Sequence, residues 1–597
     1  MKRCPECRRD YYDDTLSFCL ADGSELVYGL SETEPATAIL SEPGALMGGG
    51  TGLRGGEDQT RPQIHTTEQT AILQRGAEAE PQRSLGDSSE GQSLSAHRVA
   101  KPLGGRNKLL AGLGIAGLLL VAGFFGYRYF KPAAAEQISS IAVLPFENRS
   151  GSTDTDYLSD GLADSLIYRL SQLPNLKVSP TSSVMRYKGK DTDVAQIAKE
   201  LKVDAVMSGR LVQRGEDLTI SVQLIDSRTE KLIWAEQYDR KMADLLATQR
   251  EIAKTITQKL QLKLAGDDAK GITKRYTDNN EAYQLYLKGR YHFARRTKDE
   301  VIKAIQSYEQ AINLDPNFAL AYARIAEAYN QMPAYPYQPP QEAFPKAKAA
   351  AKRALEIDPN LSEAHTALGN TLVAFDWNWA EGEREFKRAL ELDPNSAAAH
   401  FRYGQLYLGS SGRVPEAVAE MDRGLEIEPL DVNMVATKAW WMSTKGQSDE
   451  AFELGRKGFD LDQNNPVARN VLAQIYIHRG QFTEALAFIE QNPQLATNRQ
   501  WELQSIGVAY ARLGRRAEAV KIIDEFKTLS KTQYVMSYYL AAIYASLGDR
   551  DKAFAELGTA VEAHDWRLLW LKSDPFLDSI RDDARFKDIL KRMNLPE

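Results

Sequence analysis

Residues 473–485 read AQIYIHRGQFTEA, residues 507–519 read GVAYARLGRRAEA, and residues 541–553 read AAIYASLGDRDKA. Each stretch begins with a small residue and carries a tyrosine three places later, a glycine seven places later and an alanine twelve places later. Successive stretches start 34 residues apart, and residues 439–451 repeat the small residue, the glycine and the alanine one period earlier. A fixed period of this length indicates a solenoid of helix pairs, in which the glycine forms the turn between two helices.

This spacing resembles the tetratricopeptide repeat (TPR) family. Four earlier units end in an acidic-proline triplet, at residues 314–316, 357–359, 392–394 and 427–429. Proline ends a helix there, because it lacks the backbone N–H that the helix needs. We therefore expect an all-α TPR solenoid over residues 278–595, with about eight repeats, an insertion at residues 332–340 and a helical C-terminal cap.

Stacked TPR units leave a concave groove that is lined by the first helix of each repeat, and the resemblance implies that this groove binds peptides or protein segments. The residue one place after the small residue is predicted to line the groove. In three repeats this residue is a side-chain amide: Asn370, Gln405 and Gln474. The alternative interpretation is that each is a solvated helix position.

The region before the repeats has a mixed pattern. Residues 141–146, IAVLPF, form an apolar run suited to a strand that is covered on both faces. Leucines four apart predict a helix over residues 157–173, and residues 194–201 predict a second one. We expect residues 176–181 to be extended, and three further strands over residues 205–214, 218–226 and 232–238, so this part is predicted to be an α/β domain.

Residues 138–262 resemble the TolB amino-terminal-like domain, which we place at residues 136–265. In bacterial signalling proteins this domain commonly stands between a membrane anchor and TPR repeats, behind a cytoplasmic output domain. This chain departs from that arrangement, because only a short cysteine-containing segment stands at the output position. The loop Glu147 to Gly151 and the pair Asp160-Gly161 could form a ligand site, but helix caps and turns are the favoured interpretation.

Residues 109–127, LLAGLGIAGLLLVAGFFGY, contain no charge and are long enough to cross a membrane. We predict one transmembrane helix over residues 109–130. More Lys and Arg precede it than follow it, and these residues are retained on the cytoplasmic side; they are Arg98, Lys101, Arg106 and Lys108 before the span, and Arg128 and Lys131 after it. The prediction is a single-pass protein of the inner (cytoplasmic) membrane, with a cytoplasmic N-terminus and extracytoplasmic C-terminal domains.

The three cysteines of the chain lie within its first twenty residues. Cys4-x2-Cys7 and Cys19-x2-Asp22 have the spacing of two metal-binding turns that converge on one ion. Residues 1–28 resemble a small bacterial zinc ribbon in which Asp22 replaces the usual fourth cysteine. The resemblance implies structural Zn²⁺ held by Cys4, Cys7, Cys19 and Asp22, and a ribbon that binds no metal is the alternative.

Residues 29–107 are rich in Gly, Ser, Thr, Glu, Gln and Pro and show no apolar periodicity, so they are predicted to be a disordered linker. The sequence TAIL occurs twice, beginning at Thr37 and at Thr70. A phosphothreonine followed by an aliphatic residue three places on resembles the ligands of forkhead-associated domains. This yields a further hypothesis, a phosphothreonine-dependent partner at Thr37 or Thr70.

Composition and motifs argue against several classes of function. The net charge of −7 provides no overall basic field, so no nucleic-acid partner is expected. None of the seven histidines lies in the α/β domain, and the chain has no nucleotide loop or nucleophile elbow. We expect a membrane-anchored scaffold that binds proteins and is not an enzyme. The alternative is the input component of a signalling system that acts through its cytoplasmic ribbon, and an enzyme in the α/β domain is a third possibility.

Overall fold

The computed structural model describes residues 2–3, 10–11, 27–28, 138–152, 155–173, 175–190, 193–262, 274–491 and 498–595. The chain forms two compact units, Met1–Asn107 and Lys108–Glu597, each described by itself. The predicted zinc ligands, Thr37, Thr70 and the apolar segment 109–130 lie outside the described residues. Within the described residues, no helix has the length and apolar character needed to cross a membrane.

In the first unit, the described residues form three two-residue strands. They are β1 (Lys2–Arg3), β2 (Asp10–Tyr11) and β3 (Val27–Tyr28). β1 lies in the middle and pairs antiparallel with both neighbours.

The second unit begins with a mixed six-stranded sheet. Its strands are β4 (Ser140–Val143), β5 (Glu147–Asn148), β6 (Lys177–Val178), β7 (Ala205–Arg214), β8 (Asp217–Asp226) and β9 (Lys231–Lys241). The order is β6-β4-β7-β8-β9, and β5 also pairs with β7. β4 is parallel to both neighbours and all four of its residues are buried, as expected for a strand covered on both faces.

Four helices accompany this sheet: Asp156–Ser171, Thr181–Met185, Val194–Leu201 and Leu245–Lys259. The extended segment predicted for residues 176–181 is shorter in the structure. The strand ends at Val178, and Pro180 caps a short helix that begins at Thr181. Proline cannot donate a ladder hydrogen bond but is well suited to the start of a helix, which accounts for the change.

Eight consecutive helix pairs follow within the described residues, and we call them repeats 1–8, with helices A and B. The A helices are Asn280–Phe293, Ala319–Ala334, Ser362–Ala374, Ala397–Arg402 (continued to Leu408 as a π-helix), Val432–Ser443, Pro466–His478, Arg499–Arg512 and Ser537–Ser546. The B helices are Lys298–Leu314, Pro340–Ile357, Trp379–Leu392, Val414–Ile427, Ser448–Leu461, Phe482–Glu490, Arg516–Leu529 and Arg550–Glu562.

The sequence period is explained by the turns. Gly446, Gly480, Gly514 and Gly548 have φ values of 79°, 75°, 73° and 78°, in the left-handed region where glycine has no steric cost. The B helices of repeats 1–4 end at Leu314, Ile357, Leu392 and Ile427. The next residue in each case is the acidic residue of the triplet, which has a non-helical conformation and is followed by the proline. Glycine thus ends the A helices of the later repeats, and the acidic-proline triplet ends the B helices of the earlier ones.

A C-terminal cap follows repeat 8. It consists of two 3₁₀ segments, Trp566–Trp570 and Pro575–Ile580, and the helix Ala584–Arg592. Two rings of the first segment, Trp566 and Trp570, stand edge to face with centroids 4.9 Å apart.

The α/β domain packs directly on repeat 1. Asp160 and Gly161 lie inside the helix Asp156–Ser171, so the interpretation of this pair as a cap or turn was wrong. A Cβ on Gly161 would lie 3.0 Å from Leu287, which shows why a residue without a side chain stands at this helix contact. Arg290 of repeat 1 forms an ion pair of 2.5 Å with the buried Asp164.

Candidate binding cavity on the concave face of the repeats

The three amides singled out from the repeat period lie together in the structure. Asn370, Gln405 and Gln474 come from the A helices of repeats 3, 4 and 6, and all three line a single cavity. Their exposed fractions are 7%, 5% and 0%, so none is a solvated helix position. The periodic sequence position therefore does identify a shared inner face of the A helices.

Further residues complete the cavity. They are mostly aromatic rings, amides and arginines: Arg296, Asn330, Gln331, Ala334, Tyr335, Phe401, Arg402, Asn433, Thr437, Trp440, Val467, Asn470, Val471, Trp501, Trp566, Arg567 and Trp570. Most stand on A helices, and five of them lie three to seven residues from Gln405 or Gln474 along the same helix. The 3.6-residue helical period could have extended the prediction to these positions.

The cap closes one side of this cavity. Trp566, Arg567 and Trp570 of the cap line it together with residues of the repeats. The Arg567 guanidinium lies 3.7 Å from the centroid of the Trp570 ring, and its Nη2 donates a hydrogen bond of 3.0 Å to Gln474 Oε1. Cation–π stacking and a charge-assisted hydrogen bond together fix the cap on the concave face.

Other cap contacts reach repeats 3 and 4. The Trp379 indole N–H donates to the carbonyl oxygen of Met593 at 2.9 Å, and Lys572 Nζ donates to the carbonyl oxygen of Ser411 at 3.1 Å. Just before the cap, the His564 ring stacks on Trp377 with centroids 4.3 Å apart. The cap is therefore an internal segment that occupies part of the groove.

Part of the cavity lining is more accessible than the rest. Five lining residues are half-buried, while the other lining residues are buried; the five are Arg296, Ala334, Arg402, Asn433 and Val467. We call these five residues the mouth. Arg402 Nη1 donates to Gln405 Oε1 at 3.0 Å, so the mouth is connected to the predicted amides by a direct hydrogen bond.

The charged residues that line the cavity are all positive. Arg296, Arg402 and Arg567 line it, and no Asp or Glu is among its lining residues, all of which the structure describes. Burial lowers the pKa of Arg402 and of Arg567 from the usual arginine value. Arginine starts from so high a value that both side chains keep their charge at neutral pH.

A second cluster of charged groups ties the α/β domain to the repeats. Ser182 Oγ donates to Glu428 Oε2 at 2.9 Å, and Gln172 Nε2 donates to Asp393 Oδ2 at 3.4 Å. Burial raises the pKa of Glu428 to about 7, with a further contribution from Asp431, and burial raises the pKa of Asp393 to about 6. These carboxyl groups belong to the triplets that end B helices, so the triplets serve a second purpose as domain contacts.

His365 and His400 make matching hydrogen-bond contacts in repeats 3 and 4. His365 Nδ1 lies 2.6 Å from Glu385, and His400 Nδ1 lies 2.7 Å from Glu420, on the B helix of the same repeat. In each case Nε2 lies 3.0 Å from a proline carbonyl oxygen. The arrangement recurs at equivalent positions of repeats 3 and 4 and is structural. Among the described residues no group of three or more His, Cys, Asp or Glu could hold a metal ion.

Comparison with known families agrees with this architecture. TPR models match residues 298–332, 378–440 and 444–506. The fold and these matches define the C-terminal part as a TPR solenoid. The model of the second domain of HilA/YgeH-like transcriptional regulators matches residues 136–255. The predicted TolB-like assignment of residues 136–265 stays a prediction.

Relatives match parts of the chain. “Putative adenylate cyclase 3” of Rhizobium meliloti is 33% identical over 187 residues, which cover 31% of this chain and 32% of that protein. The transcriptional regulator HilA of Salmonella typhimurium is 26% identical over 261 residues, which cover 41% of this chain and 44% of HilA. The chain thus spans less than half the length of these relatives.

Solved structures also resemble the chain. The match to a chain in the crystal structure of the APC/C hetero-tetramer Cut9-Hcn1 covers 59% of this chain and 63% of that chain, with 14% identity and a TM-score of 0.37. The match to the structure of Pseudomonas aeruginosa PilF covers 36% of this chain and 95% of the PilF chain, with 20% identity and a TM-score of 0.27. Both TM-scores are below 0.5, so neither likeness indicates a function.

Proposed function

We propose that this protein is a membrane-anchored scaffold that binds other proteins through its TPR solenoid. The observation that carries the proposal is the shared inner face of the A helices, where Asn370, Gln405 and Gln474 meet rings such as Trp440 and Trp501 in one cavity. The cavity measures about 70 Å³, so it admits only the tip of a partner segment, whose polar atoms the side-chain amides can bond. Surfaces of this composition suit protein partners.

The partner approaches from the mouth in this proposal. The deep part of the concave face is occupied by the cap, whose Trp566, Arg567 and Trp570 already fill it. The half-buried residues Arg402 and Asn433 are the positions that an incoming segment meets first. The insertion of repeat 2, which contributes Ala334 and Tyr335, borders the same opening.

The anchor and the ribbon are parts of the same proposal. The charge-free residues 109–127 would form the single span, and the excess of Lys and Arg before it favours a cytoplasmic N-terminus. In that orientation the thiols of Cys4, Cys7 and Cys19 are in a reducing compartment, where three thiolates and Asp22 could hold Zn²⁺. The solenoid and the α/β domain would then face the envelope side.

A second candidate function is the input part of a signalling system. The α/β domain is joined to the repeats by the Arg290–Asp164 ion pair and by the Ser182–Glu428 hydrogen bond. A partner bound in the groove would act on the α/β domain through these contacts. The matched domain comes from a family of transcriptional regulators, and one relative is named as a cyclase, which supports this candidate.

The scaffold proposal is tested by affinity purification of the tagged full chain. Asn433→Glu places a charge in the mouth, whereas Val520→Glu is the matched control on the B helix of repeat 7, where Val520 is 40% exposed. We expect the control to retain the proteins that copurify with wild type and Asn433→Glu to lose at least one of them. Loss of no protein in Asn433→Glu would contradict a partner site at the mouth.

A further inference from the structure

The cavity on the concave face has the chemistry of an anion site. Its three charged lining residues come from three separate parts of the solenoid: Arg296 from the turn of repeat 1, Arg402 from the A helix of repeat 4, and Arg567 from the cap. Segments far apart in sequence thus bring three positive charges to one cavity. Three like charges around one cavity repel one another, and an anion placed between them would relieve that repulsion.

The acidic residues near these arginines lie outside the cavity lining. Glu327 lies near Arg402, but its carboxylate already accepts a hydrogen bond of 2.7 Å from Arg324. Asp574 lies near Arg567, and Asp431 lies near Arg296 and Arg402, but neither carboxylate is among the residues that line the cavity. The residues that line the cavity therefore carry positive charge only.

Unpaired polar atoms provide an independent observation. Gln331 Nε2, Arg567 Nε and Trp570 Nε1 are buried donors without a hydrogen-bond partner, and each belongs to a residue that lines the cavity. These residues are at least nine-tenths buried, with exposed fractions of 4%, 4% and 9%. Asn370 Oδ1 is an unpaired buried acceptor of the same lining, so the unpaired donors outnumber it by three to one. An unpaired buried donor costs about 1–3 kcal/mol, and this excess of donors indicates a ligand that accepts hydrogen bonds.

The volume of the cavity limits the size of the ligand. The cavity measures about 70 Å³. This is less than the roughly 150 Å³ of a cavity that accommodates benzene, and it suits a group of only a few heavy atoms. Carboxylate and phosphate groups have several acceptor oxygens and bind arginine with favourable geometry.

We infer that the cavity binds a small oxyanion, a carboxylate or a phosphate, between the cap and the A helices. The anion accepts hydrogen bonds from Arg567 and Trp570 of the cap and from Gln331 and Arg402 of repeats 2 and 4. It enters through the mouth, where Arg402 is half-buried. Because its donors come from both the cap and the repeats, the bound anion holds the cap on the concave face. This inference is independent of whether a protein partner binds.

The test uses the purified full chain and two probes, acetate and inorganic phosphate, each titrated by calorimetry in a buffer free of other oxyanions. Hydrogen exchange of residues 566–580 is measured with and without each probe. We expect saturable binding with a Kd tighter than about 1 mM for at least one probe, together with slower exchange in the cap. Preference for phosphate indicates a phosphate ester as the natural ligand, and preference for acetate indicates a carboxylate.

Variants assign the binding to the cavity. Arg402→Gln removes one charge at the mouth and leaves the Arg324–Glu327 pair in place. Its control is Arg388→Gln, an exposed arginine outside the cavity that pairs with Glu391. We expect Arg402→Gln to weaken binding about tenfold, which corresponds to the loss of one charge-assisted hydrogen bond, and Arg388→Gln to leave it unchanged.

Gln331→Met keeps the test decisive if Arg402→Gln does not fold. It removes an unpaired donor, so it is neutral or stabilising for the fold without anion, yet it weakens anion binding if the donor contacts the ligand. The inference is overturned if neither probe binds in a saturable way. Binding that is equally strong in the variants that fold also overturns it, because the anion then sits elsewhere.

Discussion

The Arg567 guanidinium donates a hydrogen bond of 3.0 Å to the Gln474 side-chain oxygen, although the two residues are 93 positions apart in sequence. Gln474 Oε1 also accepts from the Trp440 indole N–H at 2.7 Å, so one amide joins the cap to the A helices of two repeats. The contact explains how a segment outside the 34-residue period becomes part of the inner face.

Arg567→Ala is expected to destabilise the solenoid. The substitution removes the hydrogen bond to Gln474 and the stacking on Trp570, and it takes the nearby positive charge away from the buried Asp574. We expect the free energy of unfolding to fall by about 2–3 kcal/mol, measured by urea denaturation. Arg388→Ala is the control and should change it by less than about 1 kcal/mol, since its pair with Glu391 is exposed. Equal effects would show that the cap contact contributes no more than a surface ion pair.

Two glycines of the repeats should respond to alanine with opposite signs. At Gly480 and at Gly558 an added Cβ meets nothing within 4 Å, so the difference between them lies in the backbone. Gly480 has a φ of 75°, whereas Gly558 stands inside the helix Arg550–Glu562. Gly480→Ala is expected to cost about 1–2 kcal/mol, and Gly558→Ala to stabilise by up to about 1 kcal/mol. Thermal unfolding of the two variants measures this, and a rise in Tm for Gly480→Ala would refute the turn assignment.

The Glu428 contact predicts a pH dependence. Its pKa is about 7 in the folded chain and near its ordinary value of 4.5 when unfolded, so the folded state binds more protons between these two values. The contribution of Glu428 to stability therefore decreases as the pH rises from about 4.5 to 7 and is constant above that. We expect the difference in stability between wild type and Glu428→Gln to change in this window. A difference that is independent of pH would contradict the raised pKa.

Cysteine labelling tests the predicted topology. In Arg384→Cys the new thiol replaces a side chain that is 77% exposed on the B helix of repeat 3. A membrane-impermeant thiol reagent should label it in intact cells, whereas the native Cys4, Cys7 and Cys19 should be labelled only after lysis. The native thiols serve as an internal control. Protection of the new cysteine until lysis would place the repeats in the cytosol and reverse the proposed orientation.

Much of the solenoid was predictable, because its signal is local and repeated. Each unit carries its own turn glycine or terminating proline, and a 34-residue period locates the inner face, which is why Asn370, Gln405 and Gln474 share one cavity. The strands β7, β8 and β9 were also predicted to within about three residues at each end. Here alternation and hairpin turns lie close together in sequence.

Other features depend on contacts between distant segments. The place of Arg567 and Trp570 in the cavity follows from the path of the cap across the concave face, and the cap has no repeat pattern that would indicate it. Gly161 suggested a turn by residue type alone, yet its role is to admit Leu287 from a helix more than 100 residues away. The ion pair between Arg290 and Asp164 arises from the same packing of one domain on another.

The central claim, that the concave face binds proteins, is tested most directly by site-specific photo-crosslinking in cells. A benzophenone amino acid at Asn433, in the mouth, is compared with the same group at Val520, on the outer side of repeat 7. The account predicts a covalent adduct of discrete mass at Asn433 that is absent at Val520. Absence of an adduct at Asn433, or the same adducts at both positions, would contradict a protein-binding role for the concave face.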